Sequence, residues 1–575
     1  MPRLRATVVL LFLFSSMVFS QIFRAPDGSV RVVDATGSQV LPKIAPLPDG
    51  GCYISWFDNR AKGYAVYLQH LSADGDYLFP DQGLLISDNK QASSLVDYDL
   101  KSDSKGNAII AFVDYRSGDP DIFAYKISPK GEFLWGKNGI ALSGIPGYEA
   151  QPKIAVTGDD AVTIVWFHTA GGYRLAMQRI SPDGKKLWGN DPIYYGGRDI
   201  SFQDPQPVPS DSNSVIVVYN AVTGNFPQQN VKIAAEKFTS KGEARWGQGV
   251  VFIQSAGYVM PYTPPSVKPD GENGAVIAWH DDRDLDNRQV AYVQKLNSNG
   301  TLEFPLNGAE VASVQGNSFN PVAVWLTETR EAMIVWKGTD LSQAESGLYA
   351  QIIDENGTRK FGNEGMAILA PGSQSISDHN LASTGNAAYI GYVSGAYSGN
   401  GSSLQLLFLN SAGIYEWGMS QMIAEEEGDK GRIEMATGTG NSCLIAFETT
   451  KDKNDGIWAA KLNYDGTPGG ILSPISLSDL HARNMGPEVT VKWSTINEEG
   501  KWSFRLERKT VDSDWALVKE FEGKGGFKKT TNYEYTDKAP ADTRVVYRLV
   551  MKSYNGKVVT RDMGQIISTS YPVVR

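Results

Sequence analysis

A glycine that returns at a near-constant interval constrains this chain more than any other feature. Gly75, Gly131, Gly184, Gly242, Gly300, Gly357, Gly413 and Gly466 are separated by 56, 53, 58, 58, 57, 56 and 53 residues. A steady period of this size marks an array of one supersecondary unit, repeated because a single unit cannot bury its own apolar face. Each unit reads as β. A run ending in a large aromatic precedes every glycine: 53–56, 108–112, 162–166, 215–219, 275–279, 332–336, 388–392 and 443–447. These runs are rich in Val, Ile and aromatics and are bounded by Gly, Asn and Asp, as strands are. A second strand follows, for example 122–127 or 348–353. Then comes a hairpin turn such as Pro182-Asp183-Gly184 or Glu355-Asn356-Gly357. Asp-Gly and Asn-Gly supply the positive φ angles of a tight turn whose twist matches its strands.

Seven of the units place an aromatic four residues past the glycine: Phe79, Trp135, Trp188, Trp246, Phe304, Phe361 and Trp417. A short outer strand comes next, as in 139–142 or 249–252, and an inner strand opens each unit, as in 152–156. Four strands per unit make one blade, so the expected fold is all-β: an eight-bladed β-propeller. A β-solenoid would need much shorter repeats. The eighth unit stops after Gly466, without the aromatic or a clear outer strand, whereas residues 27–33 read as an orphan outer strand. The N-terminal strand is therefore expected to close the last blade and remove the edges an open array would leave. Aromatics at repeating positions read as packing between blades.

Near Leu477 the period ends. Segments 489–493, 504–508 and 546–551 alternate apolar and polar residues, and about 95 residues of such short strands suit a small β-sandwich. At the other end, Arg3 and Arg5 precede the apolar run 7–14, and Val18-Phe19-Ser20 offers a cleavage point, the pattern of a secretory signal peptide. The expected layout is a signal peptide over 1–20, the propeller over 21–474 and the sandwich over 475–575. No stretch reaches the ~20 apolar residues of a membrane-spanning helix. The net charge is 54 − 64 = −10, and 52 − 64 = −12 without residues 1–20. An acidic chain without basic runs is a poor partner for nucleic acid or anionic membranes. Cys52 and Cys443 are the only cysteines, too few for a disulfide scaffold. They hold equivalent positions in units one and eight, and their place second from the axis favours two free, buried thiols over a bridge.

The repeats resemble a class of bacterial secreted propeller repeats of the form Asp-x-Arg, Asp-Ile-Tyr-Ala-Gln-Arg, a Gly turn and Trp-Gly. Unit two matches best: Asp114-Tyr115-Arg116, Asp121-Ile122-Phe123-Ala124-Tyr125-Lys126, Gly131 and Trp135-Gly136. The C-terminal segments around Trp493, 504–508, 533–537 and 547–549 resemble fibronectin-III-like modules of secreted Bacteroidota-type proteins. The resemblance implies fold and an extracellular or outer-surface location, and implies no activity.

Candidate functional residues cluster in one kind of loop. Asp58/Arg60, Asp114/Arg116 and Asp281/Arg283 each follow the aromatic-terminated strand, on loops that open on one face of a propeller. They are candidate ligand residues. Asp284 and Asp286, in Asp-Leu-Asp-Asn, have the spaced oxygens of a calcium loop without its full twelve-residue pattern. Recurrence across units favours another role for the pairs, an Asp–Arg brace within each blade. The turn 181–188 is close to the Ser-x-Asp-x-Gly-x-x-Trp turn of sialidase-type propellers, a structural motif with the spacing one residue short. The five histidines are scattered over separate units, with His168 and His280 at strand ends near the loop face, and no zinc motif, nucleophile elbow or phosphate loop occurs. No cofactor is implied beyond Ca²⁺. The leading expectation is a non-catalytic extracellular protein whose loop face holds a protein or glycan. The alternative is a polysaccharide hydrolase or lyase with an acidic site at the channel mouth, and a purely structural envelope role stands third. Fold alone does not choose among them.

Overall fold

The computed structural model describes residues 29–567 apart from 34, 62, 92–95, 198, 225–227, 247–250, 261–262, 373, 397–400, 425–427, 452–453, 467–468, 470–475, 485–487, 499–501, 511–512, 525, 541–542 and 554–557. The signal-peptide reading and Asp27-Gly28 lie outside these residues. Strands dominate because the units interleave β-branched and aromatic residues with turn residues at each end. In the first unit they are Gln39–Pro46, Cys52–Asp58, Tyr64–Leu71 and Leu84–Gln91, paired antiparallel in chain order. The same meander recurs, giving eight such sheets among the described residues. Sheets two to eight have as second strands Ala108–Asp114, Val162–His168, Val215–Thr223, Ala275–Asp282, Glu331–Thr339, Ala387–Ala396 and Cys443–Lys451. In sheet five the inner strand is split into Tyr258–Val259 and Ser266–Pro269.

The sheets form a closed propeller ring. Separate apolar cores fill sheet one against two, two against three, and so on to seven against eight. One more core joins Leu444 and Ala446 of sheet eight to Ile54 and Trp56 of sheet one, with Val32 and Val33 buried in it. The fourth strand of sheet eight is Val30–Arg31, which pairs antiparallel with Asn454–Leu462: Val30 opposes Ala459 and Arg31 opposes Trp458. Val32 N–H extends the ladder to Ile457 O at 2.8 Å. The N-terminal segment thus supplies the outer strand the eighth unit lacks. Cys52 and Cys443 are both free and buried, and burial pushes the Cys52 thiol up to about 12.

A recurrent irregularity shapes the inner strands. The register slips between Val40 and Lys43, Ala150 and Lys153, Gln203 and Gln206, Phe319 and Val322, and Gly431 and Glu434. The residue after each slip's first member, Leu41, Gln151, Asp204, Asn320 or Arg432, has φ between 49° and 56°. Each is a β-bulge, which re-aims side chains toward the axis.

Residues 476–567 form two further antiparallel sheets. Ser476–Asn484, Val489–Glu498 and Gly526–Asp537 make one, and Ala516–Glu522, Trp502–Thr510, Arg544–Ser553 and Val558–Ile567 make the other. A common core includes Trp493, Trp502, Phe504, Tyr533 and Tyr547.

Candidate functional site in the central channel

The Asp-x-Arg residues do not gather into one site. They stand as three separate pairs in sheets one, two and five, and Asp58, Asp114 and Asp281 are fully buried. Arg60 Nε donates to Asp58 Oδ1 at 2.9 Å, Arg116 Nε to Asp114 Oδ1 at 2.9 Å and Arg283 Nε to Asp281 Oδ1 at 3.1 Å. Trp56 and Trp279 add their indole N–H to the second oxygen of Asp58 and Asp281, at 3.0 and 2.9 Å. Each guanidinium also reaches a carbonyl of its own unit, Gln82, Asn138 or Asn307. It lies over an aromatic ring of the third strand: Arg60 over Tyr67 at 4.3 Å, Arg116 over Phe123 at 3.8 Å and Arg283 over Tyr292 at 3.3 Å. Such stacking adds to the charge-assisted, forked pairing. Asp284 and Asp286 are exposed and face Arg288 at 3.8 and 3.6 Å. Among the described residues no three His, Cys, Asp or Glu side chains come together in a metal-binding arrangement.

The channel is chemically lopsided. On one side Lys43 of sheet one pairs with Glu434 of sheet eight at 2.7 Å and with Asp97 at 3.2 Å, and Lys153 of sheet three pairs with Asp97 as well. Burial opposes charge on Lys43, yet Glu434 and Asp97 hold its pKa well above the ordinary value. Burial also opposes charge on Asp97, but Lys43 and Lys153 drive its pKa well below the carboxylate range. Lys101 is likewise matched by Asp99 at 2.7 Å.

The other side is open. Inner strands of sheets four to eight line a cavity of about 490 Å³, with Gln206, Lys268, Asn320, Asp378, Asn380 and Glu434 among its polar groups. His280 and His379 face it too, His280 from the end of sheet five's second strand. Lys268 Nζ donates to Asn380 Oδ1 at 3.2 Å and lies 3.5 Å from Leu381 O, and it makes no ion pair among the described residues. Burial lowers its pKa, with Lys101 and Lys43 adding to the effect against Glu434. Asp378 accepts Ile433 N–H at 2.8 Å, and burial raises its pKa to about 6 despite that donor. Burial also lowers His280 and His379 to about 4.

A pocket with a few convergent polar groups and displaced pKa values is the default place to seek function. The sequence carried two usable signals for it. One was the Pro after a bulged residue in 41–42, 151–152, 204–205 and 320–321; the other was a lysine at 268 amid prolines. Neither discloses which side of the channel carries the ion pairs.

No protein-family profile matches the chain, and no curated protein sequence matches it. Among solved structures, a Dyadobacter fermentans protein of unknown function is 10% identical over 56% of this chain and 96% of its own, with a TM-score of 0.35. A Penicillium chrysogenum alpha-L-arabinanase complexed with arabinobiose is 11% identical over 54% of this chain and 92% of its own, at 0.30. A post-proline cleaving enzyme from Rickettsia typhi is 11% identical over 72% of this chain and 58% of its own, at 0.37. These likenesses are too distant to transfer a function, and no helix among the described residues is long and apolar enough to cross a membrane.

Proposed function

We propose that this is an extracellular glycan-binding protein whose ligand enters the central channel on the side of sheets four to eight. The observation that carries it is Lys268, a cation held in the cavity by neutral oxygens alone while the channel's other lysines have carboxylate partners. A buried charge without a direct ion-pair partner is costly, and a ligand acid group would relieve that cost. Around it, Gln206, Asn320 and Asn380 offer the mixed donors and acceptors that sugar hydroxyls require. The favoured ligand is therefore a glycan bearing a carboxylate or sulfate. The secretory pattern in residues 1–20 supplies the location.

In this reading the ring is an eight-bladed propeller, the Asp-x-Arg pairs are braces, and residues 476–567 are a fibronectin-III-like spacer. The three-plus-four strand arrangement on one core supports the last point.

A glycan array of uronate-containing, sulfated and neutral oligosaccharides, followed by thermal shift of hits, tests the proposal, since a ligand of the folded state raises Tm. Lys268→Ala should weaken the acidic hits about tenfold or more. Retained affinity in that variant, or an array without hits, overturns the site.

A second reading, hydrolysis in the same cavity, is favoured by Asp378, which with a pKa near 6 keeps a proton for a leaving group in mildly acidic medium. Release of reducing ends that disappears in Asp378→Asn, with binding retained, would establish it.

A further inference from the structure

The repeat supplies an internal reference for one more site. In sheets one and five a tryptophan stands opposite a tyrosine on the neighbouring strand, Trp56 against Tyr67 and Trp279 against Tyr292. The rings stack at 5.9 and 6.0 Å, and the far edge of each indole rests where a Cβ on Gly83 or Gly308 would go, 2.5 Å away. Two residues past the tryptophan comes the buried Asp, and two further the Arg that covers the tyrosine.

Sheet six keeps this frame and loses its occupants. Trp336 stands opposite Tyr349, the rings stack at 5.7 Å, and the indole edge lies 2.5 Å from a Cβ on Gly365. The Asp position is Gly338 and the Arg position is Asp340. A cavity of about 310 Å³ opens there, lined by Trp336, Tyr349, Asp340, Glu345 and Glu364 among others.

Trp336 is 1% exposed, and its indole N–H has no partner among the described residues, although Trp56 and Trp279 give theirs to the Asp. The Tyr349 ring leans into the place the Asp side chain would take, 2.6 Å from where a Cβ on Gly338 would lie, and Trp336 lines the cavity beside it. Arg288, which reaches the carbonyl of Val314 at the pocket, is engaged by Asp284 and Asp286. The pocket thus has an aromatic face, three carboxylates and an unused donor, and no cation among the described residues that line it.

We propose that this pocket receives an arginine side chain of a partner protein. Its guanidinium would lie on Tyr349 and face Asp340, Glu345 and Glu364, with a carbonyl of the same peptide accepting the Trp336 N–H. The chain's own arginines show the pose, at 3.3 to 4.3 Å from the equivalent ring. Guanidinium fits better than ammonium because it is planar, stacks on rings and pairs in a fork.

The test is calorimetric titration of the full chain with the capped tripeptides Gly-Arg-Gly, Gly-Lys-Gly and Gly-citrulline-Gly. Saturable binding of the arginine peptide is expected, with the lysine and the uncharged citrulline peptides each weaker by about tenfold or more. Asp340→Arg, which places the chain's own guanidinium over Tyr349, should abolish binding. Glu364→Gln, at an exposed position, should weaken it without change in Tm. The proposal falls if the arginine peptide gives no saturable binding, if either comparison peptide binds as tightly, or if Asp340→Arg binds undiminished.

Discussion

Asn320 holds two histidines at once. Its N–H donates to His280 Nδ1 at 3.3 Å, and its carbonyl accepts from His379 Nε2 at 2.8 Å. A ring nitrogen that accepts carries no proton, so His280 is neutral in this arrangement. With both histidines lowered to about 4 by burial, the unfolded chain takes up protons first as pH falls below about 6.5. Stability is full above that pH and is lost toward pH 4, by roughly 3 kcal/mol for each histidine. Asp378 runs the other way. Its carboxyl, raised to about 6, keeps a proton in the fold that the unfolded chain has released above about 4. Its contribution is thus lost as pH rises through that window, and it offsets part of the histidine effect. Urea titrations at pH 7, 6, 5 and 4 should show a net fall on acidification. The pair His280→Gln and His379→Gln should flatten it, and Asp378→Asn should steepen it; an unaltered profile in the double variant would refute the account. None of this was legible in the sequence, where the two histidines sit in different units with no motif between them. They meet because the end of sheet five's second strand and the middle of sheet seven's inner strand both reach the bulge residue of sheet six.

At the scale of the element, the second strand and its loop behave as one braced piece. The carboxylate of Asp281 is shared by Arg283 and Trp279, all within sheet five. Asp281→Ala should destabilise by about 3 kcal/mol, because it orphans a buried indole N–H and leaves a guanidinium stacked without its counter-charge. Urea unfolding measures this, and glycan affinity in the channel should stay as it was. This part of the molecule was readable: the recurrence of Asp-x-Arg pointed to bracing, and the hairpin glycines pointed to the period. The glycine at 184 shows why that period is so regular. Its φ is +89°, and a Cβ there would lie 2.8 Å from Trp135, the aromatic of the unit before. Turn and aromatic are therefore fixed against one another across neighbouring sheets. The inner-strand bulges left only a faint mark, the proline that follows in four of the five strands, since Leu41 and Gln151 adopt positive φ without being turn residues. Tertiary packing imposes that conformation.

For the whole molecule the seam between sheets eight and one is decisive. Val32 and Val33 are fully buried there, and Lys461 Nζ crosses it to Gly50 O at 2.9 Å. Val32→Asp puts an unpaired charge in that seam and should cost about 4 kcal/mol, read as a lowered urea midpoint with near-native circular dichroism before the transition. A midpoint equal to that of the parent chain would show the seam to be dispensable. The missing half-unit at one end and the orphan strand at the other made closure legible. The ion network on one side of the channel was not, because Lys43 and Glu434 are 391 residues apart and no local pattern links them.

That seam also sets a clock. Val30–Arg31 is made early in synthesis, while its partner strand Asn454–Leu462 follows more than four hundred residues later. Until then the outermost edge of the growing array stays open, and a strand edge left waiting is a template for the wrong neighbour. Sealing is the last step of ring assembly, so the unfinished ring is exposed at its two ends rather than along its middle. A permuted version, with residues 29–33 moved to follow Leu462, would let the final sheet form from adjacent sequence and would shorten that vulnerable interval.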